Sequence, residues 1–148
     1  MPVYATNKKA NFDYEILDTF EAGLVLTGNE VKSIRTGNIK LTGGYITFHG
    51  KNAMLTNVHI PKYKYSNFTT NFDPERSKNL LLKKKEIDYL KGKSQEKGLT
   101  IIPLLLYTAG RRLKLKIGVG RGKKKHDKRR IIKKRELDRE VRRAIKQY

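Results

Sequence analysis

At 148 residues, with 34 Lys and Arg against 14 Asp and Glu, the chain carries a formal net charge of +20. Its size suits one domain with an appendage, and its 37% hydrophobic content is enough for a single modest core. The lack of cysteine excludes disulfides, thiolate metal sites and a cysteine nucleophile, while the excess of positive charge points to a polyanionic partner.

The first ten residues lack the apolar stretch of a secretory signal, and the longest apolar run, residues 99–107, is interrupted by Thr100 and Pro103, so no bilayer-spanning segment is expected. Phe12, Tyr14 and Ile16 alternate with Asp13 and Glu15, the period of a strand with one buried face. Residues 17–26 read as a hairpin turning at Ala22-Gly23. Thr27, with Glu30 three positions on, has the capping-box pattern and predicts a short helix through Val31 and Ile34 that ends at Gly37. Residues 45–48 and 53–60 are rich in β-formers around the turn-like His49-Gly50-Lys51-Asn52, a second hairpin. Residues 62–76 scatter Tyr63, Tyr65, Phe68 and Phe72 among polar residues and read as a long surface loop, whose aromatic rings either stack on bases or pack beneath it. Leu82, Ile87 and Leu90 suit a helix that begins near Lys83 and stops by Gly98. The clearest hairpin joins residues 100–107 to 112–119 through Ala109-Gly110. Its second strand sets Leu113, Leu115, Ile117 and Val119 on one face and Arg112, Lys114 and Lys116 on the other, either a face for nucleic-acid backbone or simply the wet side of the sheet. About six strands in hairpins with two or three short helices predict a mainly β fold, a small antiparallel barrel like the oligonucleotide-binding (OB) fold, over residues 1–120.

Residues 121–148 hold 14 Lys or Arg and 4 Asp or Glu, which is half of the net charge. Gly118-Val119-Gly120-Arg121-Gly122 reads as a hinge into this tail. Leu137, Val141 and Ile145 recur every fourth residue among arginines, so the tail is expected to be disordered when free and helical against an anionic wall, where condensed counterions are released. Its stripe is narrow and without Trp or Phe, which disfavours a membrane surface.

Chemistry is sparse by comparison. His49 and His59 have no metal-ligand spacing, and Glu30-Val31-Lys32 with Asp13 or Asp18 only superficially matches the carboxylates of a metal-dependent nuclease. With no histidine base pair, phosphate-binding glycine loop or nucleophile elbow beside it, the chain is expected to be a binding protein and not an enzyme, with no cofactor and no metal.

Several stretches, in order and across most of the chain, carry a resemblance. They are Asn7-Lys8-Lys9-Ala10, Phe20-Glu21-Ala22-Gly23, Gly28-Asn29-Glu30-Val31-Lys32-Ser33-Ile34-Arg35, Asp73-Pro74-Glu75-Arg76 with Leu80-Leu81-Leu82, and Gly122-Lys123-Lys124-Lys125-His126-Asp127-Lys128-Arg129. Together they resemble the small protein B family, the bacterial SsrA-binding proteins that accompany transfer-messenger RNA in trans-translation. The resemblance implies a cytoplasmic RNA-binding adaptor whose barrel grips the tRNA-like domain of that RNA through Asn7, Glu21 and Leu81, with Lys8, Lys9, Lys32, Arg35 and Arg76 as further candidate contacts. It implies a tail that enters the empty messenger channel of a stalled ribosome, against small-subunit ribosomal RNA, through Gly122, Lys123, Lys124, His126, Asp127, Lys128 and Arg129. Elongation factor Tu is an expected further partner. The alternative is a basic structural protein of the ribosome, which would share the cationic extension. One departure stands out: Ser77-Lys78-Asn79 follow Arg76 where the family usually carries more arginine or lysine.

Overall fold

A computed structural model describes residues 2–65, 73–123 and 125–146. Seven antiparallel strands form one sheet among the described residues: β1 (Val3–Thr6), β2 (Tyr14–Leu24), β3 (Tyr45–His49), β4 (Asn52–Thr56), β5 (Lys78–Leu81), β6 (Leu99–Ala109) and β7 (Arg112–Gly122), in the order β1-β6-β7-β2-β5-β4-β3. Four helices accompany them: α1 (Lys8–Asp13), α2 (Gly28–Arg35), α3 (Lys84–Ser94) and α4 (Lys125–Lys146). The ladder does not close, but β3 folds back onto β6, so the sheet wraps a core in a roughly OB-like way. The inner face of β7 supplies Leu113, Leu115, Ile117 and Val119 as the alternation predicts, and α2 and α3 add Ile34 and Leu90 to the same cluster.

The capping box is as expected: Thr27 N–H donates to Glu30 Oε1 at 2.9 Å and Glu30 N–H to Thr27 Oγ1 at 3.2 Å. Helix α2 ends before Gly37, whose φ of +85° is the left-handed conformation that glycine adopts without strain. The hairpins β3–β4 and β6–β7 also fall where predicted, turning at Gly50 and Gly110 with φ of +62° and +65°.

Three expectations need correction. The strand predicted from Phe12 starts only at Tyr14, because Asn7 caps α1: its side chain accepts from Ala10 N–H at 3.2 Å and so ends β1 in a helical turn. The hairpin predicted over residues 17–26 is instead one continuous strand, β2, whose register shifts between Ile16 and Asp18. Ala22 is small because it lies in the core, and Gly23 because a Cβ there would stand 3.1 Å from that of Leu81. The predicted hinge at 118–122 belongs to β7, whose last ladder pair is Tyr14 with Gly122. A Cβ at Gly118 would meet Leu104 Cδ1 at 2.8 Å, and one at Gly120 would meet Tyr14 and Ile102 at 3.1 and 3.2 Å. These glycines admit close packing and do not supply freedom.

Candidate nucleic-acid interface

With Leu113, Leu115, Ile117 and Val119 turned inward, the alternate residues of β7 face out, and the register decides their neighbours. Lys114 pairs with Tyr107 on β6 and Gly23 on β2, and Gly23 pairs with Leu81 on β5. One row across four strands is therefore Tyr107, Lys114, Gly23, Leu81. The next row sets Leu105 and Glu21 on either side of Lys116. Leu81, riding over Gly23, is 62% exposed, a large apolar side chain with no core to serve. It lines a cleft of about 240 Å³ with Arg35, Arg111, Arg112, Lys114 and Val31. Cations around an exposed leucine suit a ribose–phosphate chain, with the apolar side chain against a sugar or base.

Beside this cleft, Glu21 accepts a hydrogen bond from the Tyr107 hydroxyl, and the two line a second concavity of about 390 Å³ with Val3, Phe20, Leu105 and Lys116. Burial first, and then the neighbouring carboxylate, push the Tyr107 hydroxyl up to about 12, so it remains a proton donor at neutral pH. A carboxylate cannot clamp phosphate, so Glu21 suits the amino group of a base or a 2′-hydroxyl.

Other candidates occupy different places. Asn7 is 4% exposed and both ends of its amide are engaged, one by Ala10 N–H and the other by donation to the Pro103 carbonyl at 2.9 Å. Its position makes it a clip between α1 and β6. Lys8 and Lys9 are exposed on the first turn of α1. Lys32, exposed on α2, lies 5.9 Å from the centre of the Tyr63 ring, and the Tyr63 backbone N–H bonds to Asn29 Oδ1 at 2.7 Å, which fastens the start of the loop to α2. Phe68 and Phe72 lie outside the described residues. Arg76 donates to Glu30 Oε1 at 2.5 Å and is thereby tied to α2. Glu30 itself is 2% exposed and also stands 4.0 Å from the fully buried Lys78 ammonium, which donates to the Val58 carbonyl at 3.2 Å. In the nuclease-like Glu30-Val31-Lys32, Glu30 is thus internal scaffolding, its carboxylate consumed by Thr27, Arg76 and Lys78, while Lys32 stays exposed. In the departure after Arg76, Lys78 looks like a surface cation in the sequence but points into the molecule, so Ser77-Lys78-Asn79 present no exposed cation. Burial lowers its pKa from the ordinary lysine value, opposed by the attraction of Glu30.

In the tail, Gly122 completes β7, and Lys123 holds the end of α1, its backbone N–H on the Asp13 carbonyl at 2.8 Å and its Nζ on the Asn11 carbonyl at 2.7 Å. Helix α4 runs beside α1: Lys128 pairs with Asp13 at 3.2 Å, and Lys128 and Arg135 both approach the Phe12 ring, 5.9 and 5.6 Å from its centre. Arg129 is exposed. Lys124 and the side chains of His126 and Asp127 lie outside the described residues. The described helices include none long and apolar enough to cross a membrane.

Sequence reasoning found the cationic row of β7, but not its union with Glu21 and Tyr107. The signal was divided among three strands far apart in the chain, and only the ladder register joins them.

Comparison with known proteins agrees with this architecture. Residues 4–147 match the family described as SmpB protein. The SsrA-binding protein of Leuconostoc mesenteroides is 51% identical over 142 residues, covering 96% of this chain and 92% of that protein. That of Thermosynechococcus vestitus is 49% identical, covering 98% and 95%. A solved structure presented as "tmRNA-SmpB: a journey to the center of the bacterial ribosome" superposes with a TM-score of 0.70 at 43% identity, over 84% of this chain and 87% of that one.

Proposed function

The chain belongs to the SmpB protein family, and from that premise we propose that it is a cytoplasmic RNA-binding adaptor of trans-translation, which binds the tRNA-like domain of transfer-messenger RNA and brings it to stalled ribosomes. The observation that carries this reading is the outer face of the sheet, where the acid Glu21 and the exposed Leu81 stand among Arg35, Arg112, Lys114 and Lys116. Phosphates supply affinity there, and the acid and leucine select the RNA surface that fits.

The tail has the second task. Among its described residues helix α4 adds none to the core, with Leu137 and Val141 exposed, and its cations suit the phosphate-lined messenger channel left empty when a message ends. Gly122, Lys123, Lys124, His126, Asp127, Lys128 and Arg129 lead into it and stand in for the missing codon–anticodon pairing. Elongation factor Tu joins the same assembly by carrying the charged RNA.

A truncation after Lys123, which keeps β7 and its pairing with Tyr14 intact, tests the division. The body should retain its affinity for the tRNA-like RNA, and tagging on stalled ribosomes should fail. Normal tagging would refute the role of the tail, and loss of RNA binding would refute that of the body. Sedimentation separates this adaptor from a structural ribosomal protein, which would accompany every ribosome.

A further inference from the structure

Building on the outer face as the RNA grip, we propose that Tyr107 is a positioning residue of that grip, which holds Glu21 away from Lys116 so that acid and base both remain free for RNA. Glu21 and Lys116 are direct partners across the β2–β7 ladder, where opposite charges ordinarily attract and pair. Among the described residues Glu21 nevertheless makes no ion pair; its carboxylate bonds to the Tyr107 hydroxyl instead. That hydroxyl comes from β6, two strand spacings or about 9.6 Å from β2, so the tyrosine spans β7 at the level of Lys114 and Lys116.

The result is a concavity in which a carboxylate, an ammonium group and an aromatic ring stand side by side without neutralising one another. An unpaired nucleotide offers what all three need. Its base edge or 2′-hydroxyl donates to the Glu21 oxygen that Tyr107 leaves open, its phosphate meets Lys116, and its base lies against the apolar side chains of Val3 and Leu105. Burial, and after it the acid it orients, favour the protonated, donating form of the hydroxyl. Without it, Glu21 would settle on Lys116, and RNA would have to break that ion pair before using either group.

The test is Tyr107→Phe in the full chain, with binding to the tRNA-like domain of transfer-messenger RNA measured from low to high salt. Affinity should fall about tenfold, the value of a hydrogen bond to a charged group. The dependence on salt should become shallower by about one phosphate contact, because Lys116 is lost as well. Glu21→Gln should also weaken binding, but with the parent's salt dependence, since Lys116 then has no acid to join. In that background Tyr107→Phe should change nothing, a coupling that a purely structural tyrosine would not show. Unaltered affinity and salt dependence in Tyr107→Phe, or an equal loss in the Glu21→Gln background, would overturn the assignment. A parent protein that fails to bind the RNA would overturn the reading of the outer face and this inference with it. Thermal unfolding of each variant verifies that it is folded at the temperature of the assay.

Discussion

Glu30→Gln should destabilise the body severely, and by an amount that depends on pH. The carboxylate has three partners: Thr27 N–H at 2.9 Å, the Arg76 guanidinium at 2.5 Å and the buried Lys78 ammonium at 4.0 Å. Glutamine keeps an acceptor for Thr27 but removes the negative charge. Arg76, 39% exposed, can turn toward water, whereas Lys78 keeps the Val58 carbonyl as its one hydrogen-bond partner among the described residues, with Asp73 and Glu75 as weaker attractions. Removing one partner of a buried pair costs about 3 to 5 kcal/mol. Lysine can escape by losing its proton, which at pH 7 costs about 4.6 kcal/mol from an ordinary pKa near 10.4 and caps the damage. A loss of about 3 kcal/mol, or roughly 10 °C in melting temperature for a chain of this size, is therefore expected at pH 7. The sign with pH follows from the lowered pKa of Lys78 in the folded state. Between that value and the ordinary one the unfolded chain binds more protons, so stability rises with pH, and the loss of Glu30 widens the window downward. At pH 10 the cost of deprotonation falls to about 0.5 kcal/mol, and most of the deficit should vanish. Urea unfolding followed by circular dichroism at pH 7 and pH 10 measures both quantities, and Lys78→Met should rescue the variant at pH 7. A deficit under about 1 kcal/mol at pH 7, or one unchanged at pH 10, would refute the electrostatic account.

Leu81→Ala should leave stability within about 0.5 kcal/mol, as exposed substitutions do, yet weaken binding of the tRNA-like RNA severalfold in a filter-binding titration. Gly118→Ala should cost about 1 to 3 kcal/mol in urea unfolding, because its Cβ would press on Leu104 and Ile16. A peptide of residues 123–148 should be largely unstructured by circular dichroism when alone and become helical on adding small-subunit ribosomal RNA, since its like charges oppose the helix until phosphates neutralise them.

What the sequence disclosed and what it hid have one physical cause. Features encoded over a few neighbouring residues were legible: the Thr27–Glu30 capping box, the turns at Gly50 and Gly110, and the alternation of β7. Features that depend on a distant partner were not. Gly23, Gly118 and Gly120 carry the signature of turns and hinges, but their smallness answers to Leu81, Leu104 and Tyr14, which only the folded sheet brings near. Asn7 looks like a polar surface residue, and its second partner, the carbonyl of Pro103, is 96 positions away. Lys78 reads as one more surface cation because burial of a lysine is rare and its counter-charge, Glu30, belongs to another element. Of the outer face of the sheet, the basic row could be read locally, while the position of Glu21 against Lys116 required the register of β2 on β7.

The buried charges also bear on recognition. Helix α2 turns Glu30 inward and leaves Arg35 exposed on one wall of the cleft, while β5 turns Lys78 and Leu80 inward and presents Leu81 on the other. The Glu30–Lys78 contact and the Arg76 bond therefore tie together the two elements whose outer side chains define the width of the groove. Apolar residues could fill the same space at little cost in stability, because the desolvation of a buried ion pair largely offsets its attraction. They would not fix one register of α2 against β5, since apolar contacts tolerate sliding whereas an ammonium deprived of its carboxylate does not. What the network contributes is placement: a rigid spacing between a cation and a leucine that a shaped RNA can meet. The tail, where Arg129, Arg130, Lys133, Lys134, Arg139, Arg142 and Arg143 are exposed along α4, would need no such device for its proposed role, because a line of phosphates accepts charge at many positions.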